Sequence, residues 1–186
     1  MAETALDFSS KLAYGQIGES KIAVWLRMQG RFVLPAYEKE IDNNKGPRLF
    51  CPDGNLVVPD MLVINGEKVN WIEAKHKSVF SWHRNTRRWV TGINIKHYNQ
   101  YLEVARVTPW PVWLLFLHEK DRELGRDEPW PCPVGLFGER LDILNQNENH
   151  RSDKWANGMV YWAHETLNYL ASLDEVNRSI IRSKRH

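Results

Sequence analysis

An α/β fold, with helices flanking a mixed central sheet in the order helix, strand, hairpin, helix, strand, is what this sequence predicts. Three observations carry the expectation. A helical apolar stripe runs through Gln16–Leu26, an Asn65-Gly66 turn separates two apolar runs, and a second helical pattern covers Ile93–Val107. Pro109 stops that second helix, and the fully apolar run Val112–Leu117 then reads as a buried strand.

The first helix places Glu19, Ile22, Ala23 and Leu26 at i, i+3, i+4 and i+7, and Gly30 is a natural stop. Glu19 therefore begins an otherwise apolar stripe. A carboxylate there is either a charge favoured by the helix N-terminus or a group turned inward for a purpose.

The hairpin is the most informative stretch. Asn-Gly between Met61–Ile64 and Val69–Ile72 is a strong signal for a two-residue turn. With Asn65 and Gly66 as the loop, Ile64 pairs Glu67 and Asp60 falls opposite Trp71. Side chains alternate with period two, so Asp60, Trp71, Glu73 and Lys75 leave one side of the sheet. Asp60 and Glu73 become diagonal neighbours, roughly 7–8 Å apart. A four-residue loop keeps this face, whereas a three-residue loop turns Asp60 away. Two carboxylates so close repel unless a positive charge lies between them or one takes a proton. Lys75 supplies one such charge, and a hard divalent cation is the other candidate. The plain alternative is a partly exposed salt-bridge cluster.

The second helix carries Lys96 and Gln100 at i, i+4, with Tyr98 between them. His76 alternates to the face opposite Lys75 and is not expected as a ligand. His97 shares the Gln100 helix, where a surface or packing role is the expectation. Glu119–Glu148 holds eight acidic against four basic residues together with Pro129, Pro131 and Pro133, and reads as an irregular insertion or edge hairpin. Trp155–Leu173 reads as a closing amphipathic helix with Met159, Trp162, Leu167 and Leu170 as core candidates. A basic tail follows, with Arg178, Arg182, Lys184 and Arg185.

Composition sets further bounds. A chain of 186 residues that is 42% hydrophobic can bury one sizeable core, so a single domain over 1–186 is expected, with the insertion near 119–150. No apolar run approaches 18 residues and no charged-then-apolar leader opens the chain, so neither a membrane span nor a signal peptide is expected. Cys51 and Cys132 form no metal-binding pair, which points to a reduced, intracellular setting. There is no glycine-rich phosphate loop and no zinc-hydrolase spacing.

A net charge of +2 is too small to argue for nucleic acid, and its distribution is more telling, with a solvated loop as the plain alternative. Between Glu73 and Glu103 lie Lys75, Lys77, Arg84, Arg87, Arg88 and Lys96, with no acidic residue. Trp82 and Trp89 are interleaved with these arginines. Guanidinium groups suit phosphates and indoles can stack on unpaired bases. For Trp89, docking on the core is an equal alternative.

Taken in this order, Pro59-Asp60, Glu73-Ala74-Lys75, the upstream Gly15-Gln16-Ile17-Gly18-Glu19 and the later Gln100 resemble the PD-(D/E)xK nuclease superfamily. The likeness covers residues 14 to 117 and is to the resolvase-like branches. It implies a restriction-endonuclease-like core (α-β-β-β-α-β). Tyr101 directly after Gln100 departs from the longer glutamine-to-tyrosine spacing of the recombination-exonuclease branch.

The resemblance implies a Mg²⁺-dependent nuclease acting on nucleic acid, DNA over RNA and endonuclease over exonuclease, with Mn²⁺ able to substitute. Asp60, Glu73, the Ala74 carbonyl and Glu19 would hold the metal. Lys75 would orient or deprotonate the attacking water, or stabilise the pentacovalent oxygens. Gln100 would position a phosphate or the nucleophile. Lys77, Arg84, Arg87, Arg88, Lys96 and Tyr98 are the expected nucleic-acid contacts. A homodimer is compatible, and so is a cytoplasmic, nucleoid-associated, phage or mobile-element setting. The alternatives are a nucleic-acid-binding module that retains the fold without cutting, and a partner-binding domain in which the charges are a salt bridge.

Overall fold

The helix–strand–hairpin–helix–strand order is present in the computed structural model, which describes residues 5–36, 47–52, 54–120, 131–154 and 158–184, with side chains from Gly15 onward. Helix α1 (Ala5–Met28) leads into strands β1 (Phe32–Pro35), β2 (Arg48–Cys51), β3 (Gly54–Val57), β4 (Met61–Asn65) and β5 (Lys68–Lys77). Strands β6 (Ser81–His83) and β7 (Arg88–Asn94) precede α2 (Ile95–Val107) and β8 (Val112–His118). The chain continues as β9 (Gly135–Arg140), α3 (Leu141–Gln146), β10 (His150–Ser152), β11 (Met159–Ala163), β12 (Asn168–Ala171) and α4 (Leu173–Ser183). Among the described residues, no helix is long and apolar enough to cross a membrane.

Six strands form the central sheet in the order β1-β4-β5-β8-β9-β12. β4 and β5 are antiparallel, and β8 joins β5 in parallel after the α2 crossover. This is a mixed sheet flanked by helices, the α/β class the sequence predicts. Strand β5 is inner, and its alternation separates two cores. Ile72 and Ala74 pack with Ile22, Trp25 and Leu26 of α1 and with Leu115 and Leu117. Trp71 turns the other way, with Tyr98, Tyr101 and Val104 of α2 and with Leu114 and Phe116.

The hairpin register corrects the expected turn. Asn65 pairs Lys68 and Leu62 pairs Trp71, so the loop is Gly66-Glu67, not Asn65-Gly66. Gly66 takes the positive φ (59°) that such a tight turn demands. The loop has still two residues, so the parity is kept. Carried one step on, this register sets Asp60 opposite Glu73 rather than opposite Trp71.

The second half of the chain departs further. No helix spans the described part of 155–173, and Trp155 itself lies outside the described residues. Met159-Val160-Tyr161-Trp162-Ala163 is strand β11, whose aromatic and β-branched residues suit a pleated surface. A single 3-10 turn and β12 follow it. Trp162 and Leu167 are buried as expected of core residues, but from a sheet and a turn. The helix begins later. Ser172 caps α4 through a reciprocal capping box with Glu175, near the end of the stretch read as the closing helix. Part of the presumed insertion is also core: β9 is an inner strand and Leu136 is fully buried. Residues 121–130 lie outside the described set. Strands β10-β11-β7-β6 make a separate sheet, which packs one face against the α2-side core.

Candidate active site

Two neighbouring strands and one helix place the charged residues. β4 starts at Met61, opposite Ile72, so the N–H of Ala74 lies beyond its partner strand. The Asp60 carboxylate takes that place and accepts from Ala74 N at 2.8 Å. The backbone around Asp60 is fixed as well. Its carbonyl accepts from Ala36 N at 2.8 Å, and Val57 N donates to the Gln100 side-chain oxygen at 3.0 Å. Glu73 and Lys75 leave β5 on the α2 side and are in ion-pair contact.

These groups crowd one another. Glu73 is 1% exposed, and neither of its oxygens receives a well-directed hydrogen bond despite the nearby ammonium. Burial, and then the Glu73 charge, push the Asp60 carboxyl up to about 8. Glu19 is raised too: burial is the main cause, Lys75 opposes it, and Glu73 adds to it. That coupling brings Glu19 of α1 into the same electrostatic cluster. Burial alone would lower the Lys75 ammonium, but Glu73 and Asp60 outweigh it and hold it above the ordinary lysine value. Three carboxylates thus share one lysine.

The helix is set close for a visible reason. Gly18 sits directly over His76, and a Cβ there would fall well inside van der Waals contact with the ring. Glu119 clasps the same spot, meeting His76 Nε2 at 2.7 Å and pairing with Lys21 of α1. His76 thus faces away from Lys75, as its alternation predicts.

Glu19, Asp60, Glu73, Ala74 and Lys75 come together. Gln100 stands behind them, its side-chain oxygen engaged by Val57. Lys77 follows on the same face of β5. Lys96 is exposed at the start of α2, while Arg84, Arg87 and Arg88 are exposed on the β6–β7 hairpin. Tyr98 is a correction. It is fully buried, with its hydroxyl at 2.6 Å from Asn145 Oδ1 and 2.8 Å from Glu148 Oε1, so it cannot meet a nucleic acid. Helical packing won over the polar end of the ring. Of the two readings left open for Trp89, packing holds, since it is buried; Trp82 is half-buried and packs against it edge-on at 5.3 Å.

The sequence reading passed over Tyr101. Its phenol approaches Glu73 from α2, and burial, then Glu73 and Asp60, raise it far above the ordinary tyrosine value. His97, one turn earlier with its ring centroid 6.1 Å from Tyr101, is lowered by burial and then by Lys75. The available signal was the i, i+4 spacing of His97 and Tyr101 on a helix facing the motif strand.

The donor set fits a hard divalent cation. Two buried carboxylates, a third beside them and a backbone carbonyl are the oxygen ligands such an ion takes, and it would relieve the protonation forced on Asp60. Among the described residues no three His, Cys, Asp or Glu side chains converge to ligating distance.

Fold and site together define a mixed α/β domain that brings Asp60, the Ala74 backbone and the ion-paired Glu73 and Lys75 to one place. The sequence matches no family model and no curated protein. Among solved structures the chain is similar to Hjc, a Holliday junction resolvase from Archaeoglobus fulgidus, an archaeal hyperthermophile. The TM-score is 0.47 at 12% identity, over 82% of this chain and 90% of that one. It is also similar to D212, a nuclease from a fusselovirus, with TM-score 0.38 at 12% identity over 100% and 97%. Both likenesses are distant, and the site is read from the geometry above.

Proposed function

We propose that this chain is a divalent-metal-dependent nuclease that hydrolyses phosphodiester bonds, with DNA as the favoured substrate, Mg²⁺ as the metal and endonucleolytic cutting. The observation that carries it is the set Asp60, Glu73 and Lys75 on one face of two paired strands, buried and mutually perturbed, with Glu19 beside them. A structural salt bridge needs one carboxylate for one lysine. This site crowds three, so it either keeps a proton on Asp60 or takes a cation in its place.

Asp60, Glu73, Glu19 and the Ala74 carbonyl would hold the ion. When bound, it supplies Lewis-acid stabilisation of charge on the phosphate. The chain's own groups do the rest. Lys75 keeps its proton beside Glu73, so its role is to donate hydrogen bonds to the attacking water and to the phosphate oxygens as negative charge grows. It is a poor proton acceptor in that setting. Tyr101 lies beside Glu73 and would orient it. Gln100 holds Val57, and through it the approach of Asp60 to β5, so it acts as a positioning residue. Lys77, Lys96 and the hairpin arginines would meet flanking phosphates.

The test is cleavage of labelled single-stranded, duplex, flapped and four-way-junction DNA and of RNA, with Mg²⁺, Mn²⁺, Ca²⁺ or EDTA, beside Lys75→Ala. Cutting with Mg²⁺ or Mn²⁺ that disappears in EDTA and in the variant is the expected result. Salt-sensitive binding without cutting under any metal would leave a binding module on the same fold. Neither binding nor cutting would sink the reading.

A further inference from the structure

The proposed hydrolysis leaves one task unfilled. An attacking water must lose a proton, and Lys75, held charged beside Glu73, is in no state to take it. Asp60 and Glu73 serve as oxygen ligands, and His76 is engaged with Glu119 on the opposite face of β5. His97 has no such commitment.

Helix rise and strand rise together set where His97 lies. β8 runs parallel to β5 with Val112 beside Trp71, so α2, which leads into β8, runs back against the direction of β5. The end of that path is tied down where Trp71 Nε1 donates to Thr108 Oγ1 at 3.2 Å. Tyr101 lies beside Glu73. Four residues earlier on a helix is about 6 Å, and two residues further along a strand is roughly 6–7 Å. His97 therefore stands at the level of Lys75, as Tyr101 stands at the level of Glu73. His97, Gln100 and Tyr101 share one stripe of α2, at i, i+3 and i+4. Gln100 holds Val57 at the approach to Asp60, and the rings of His97 and Tyr101 lie 6.1 Å apart.

The surroundings of this ring suit proton transfer. Part of His97 is open to solvent, and among the described residues no hydrogen bond or ion pair engages it. The charges that act on it are Lys75 and Glu73 from β5 and Lys96 on its own helix. Burial, then Lys75, favour the neutral ring; Glu73 opposes them and Lys96 adds to them. A neutral imidazole can accept a proton, and an open edge lets it pass that proton on.

We propose that His97 is the general base of the hydrolysis. This rests on the nuclease reading and deepens it. As the water oxygen bonds to phosphorus, one of its O–H bonds breaks and the proton passes to a ring nitrogen of His97. The P–O bond to the departing sugar oxygen breaks with its electron pair, and that oxygen takes a proton from solvent. His97 then returns its own proton to solvent through its open side.

The experiment measures single-turnover cleavage of labelled DNA between pH 6 and 9, with the whole chain in saturating excess and Mg²⁺ saturating at each pH. Wild type is compared with His97→Ala and His97→Gln, and circular dichroism checks that each variant folds. Both variants should cut about 10²-fold more slowly at neutral pH. The wild-type rate should vary little above pH 7, whereas the variant rates should climb about tenfold per pH unit as hydroxide replaces the missing base. Added imidazole should restore at least tenfold of the loss in His97→Ala. Cleavage by His97→Ala within threefold of wild type, or a loss with the wild-type pH dependence and no rescue by imidazole, overturns the proposal and leaves the nuclease reading intact. Wild type that cuts no nucleic acid with Mg²⁺ or Mn²⁺ removes the nuclease reading itself.

Discussion

The two faces of β5 carry alternating residues of one short strand, yet they solve opposite problems. On the α1 side, Ile72 and Ala74 are buried among aliphatic residues, and the polar His76 is matched by Glu119 and Lys21. On the α2 side, Glu73 and Lys75 meet a third and a fourth charged group with no equal balance. One face balances its charges and the other does not. A strand can therefore be a structural spine and an active-site wall at once, because alternation gives neighbouring residues separate environments.

Changes on the two faces should separate activity from stability. The largest effect is expected from Glu73→Gln, which keeps the shape and removes a carboxylate. Single-turnover cleavage should fall by about 10³-fold, in line with losing a main charge-stabilising group. The melting temperature should hold or rise, because a buried, poorly bonded charge is gone. A large loss of stability instead would make Glu73 structural.

Gly18→Ala acts on the opposite face. The added Cβ meets His76 and must push α1 off the sheet, at a cost of about 1–3 kcal/mol. Because Glu19 rides on that helix, cleavage should drop as well. Urea unfolding together with kinetics would show both, and full activity with lost stability would detach Glu19 from the site.

The pH behaviour follows from Asp60. Its pKa of about 8 in the metal-free fold exceeds the ordinary 3.8, so between those values the native chain keeps a proton the unfolded chain has released. Metal-free stability from this group therefore falls as pH rises through that window. Metal binding needs the carboxylate, so Mg²⁺ affinity should rise by up to about tenfold per pH unit and level off above about 8. Calorimetric titration across pH 6–9 checks this, and a flat affinity would deny Asp60 a ligand role.

The smallest effect is expected from Glu119→Gln, which weakens the clasp on His76 and Lys21. A partly exposed charged network of this kind contributes about 1 kcal/mol, so melting should shift by a few degrees, with cleavage changed less than threefold.

How much of this was legible in the chain depends on the distance over which the information acts. The shared face of Asp60, Glu73 and Lys75 survived a one-residue displacement of the turn, because a two-residue loop preserves parity wherever it slides. The Ser172–Glu175 capping box was also legible and would have started α4 where it does start. Local pattern misassigned Met159–Ala163, where a stretch of large apolar residues suits a helix and a buried strand equally. Only the neighbours Val90–Asn94 decide between them, by offering a sheet edge.

Alternation and turn length by themselves determined which residues of this protein share a face, and hence the carboxylate–lysine set, since these are nearest-neighbour properties of the backbone. Tertiary structure alone decided what meets that face. Tyr101 comes to Glu73 through the packing of α2, Tyr98 is consumed by the core, and His83, His150 and Tyr161 stack only once four strands have paired. Such contacts join segments far apart in the chain. They are settled by which surfaces exclude water together, and no local spacing carries that information.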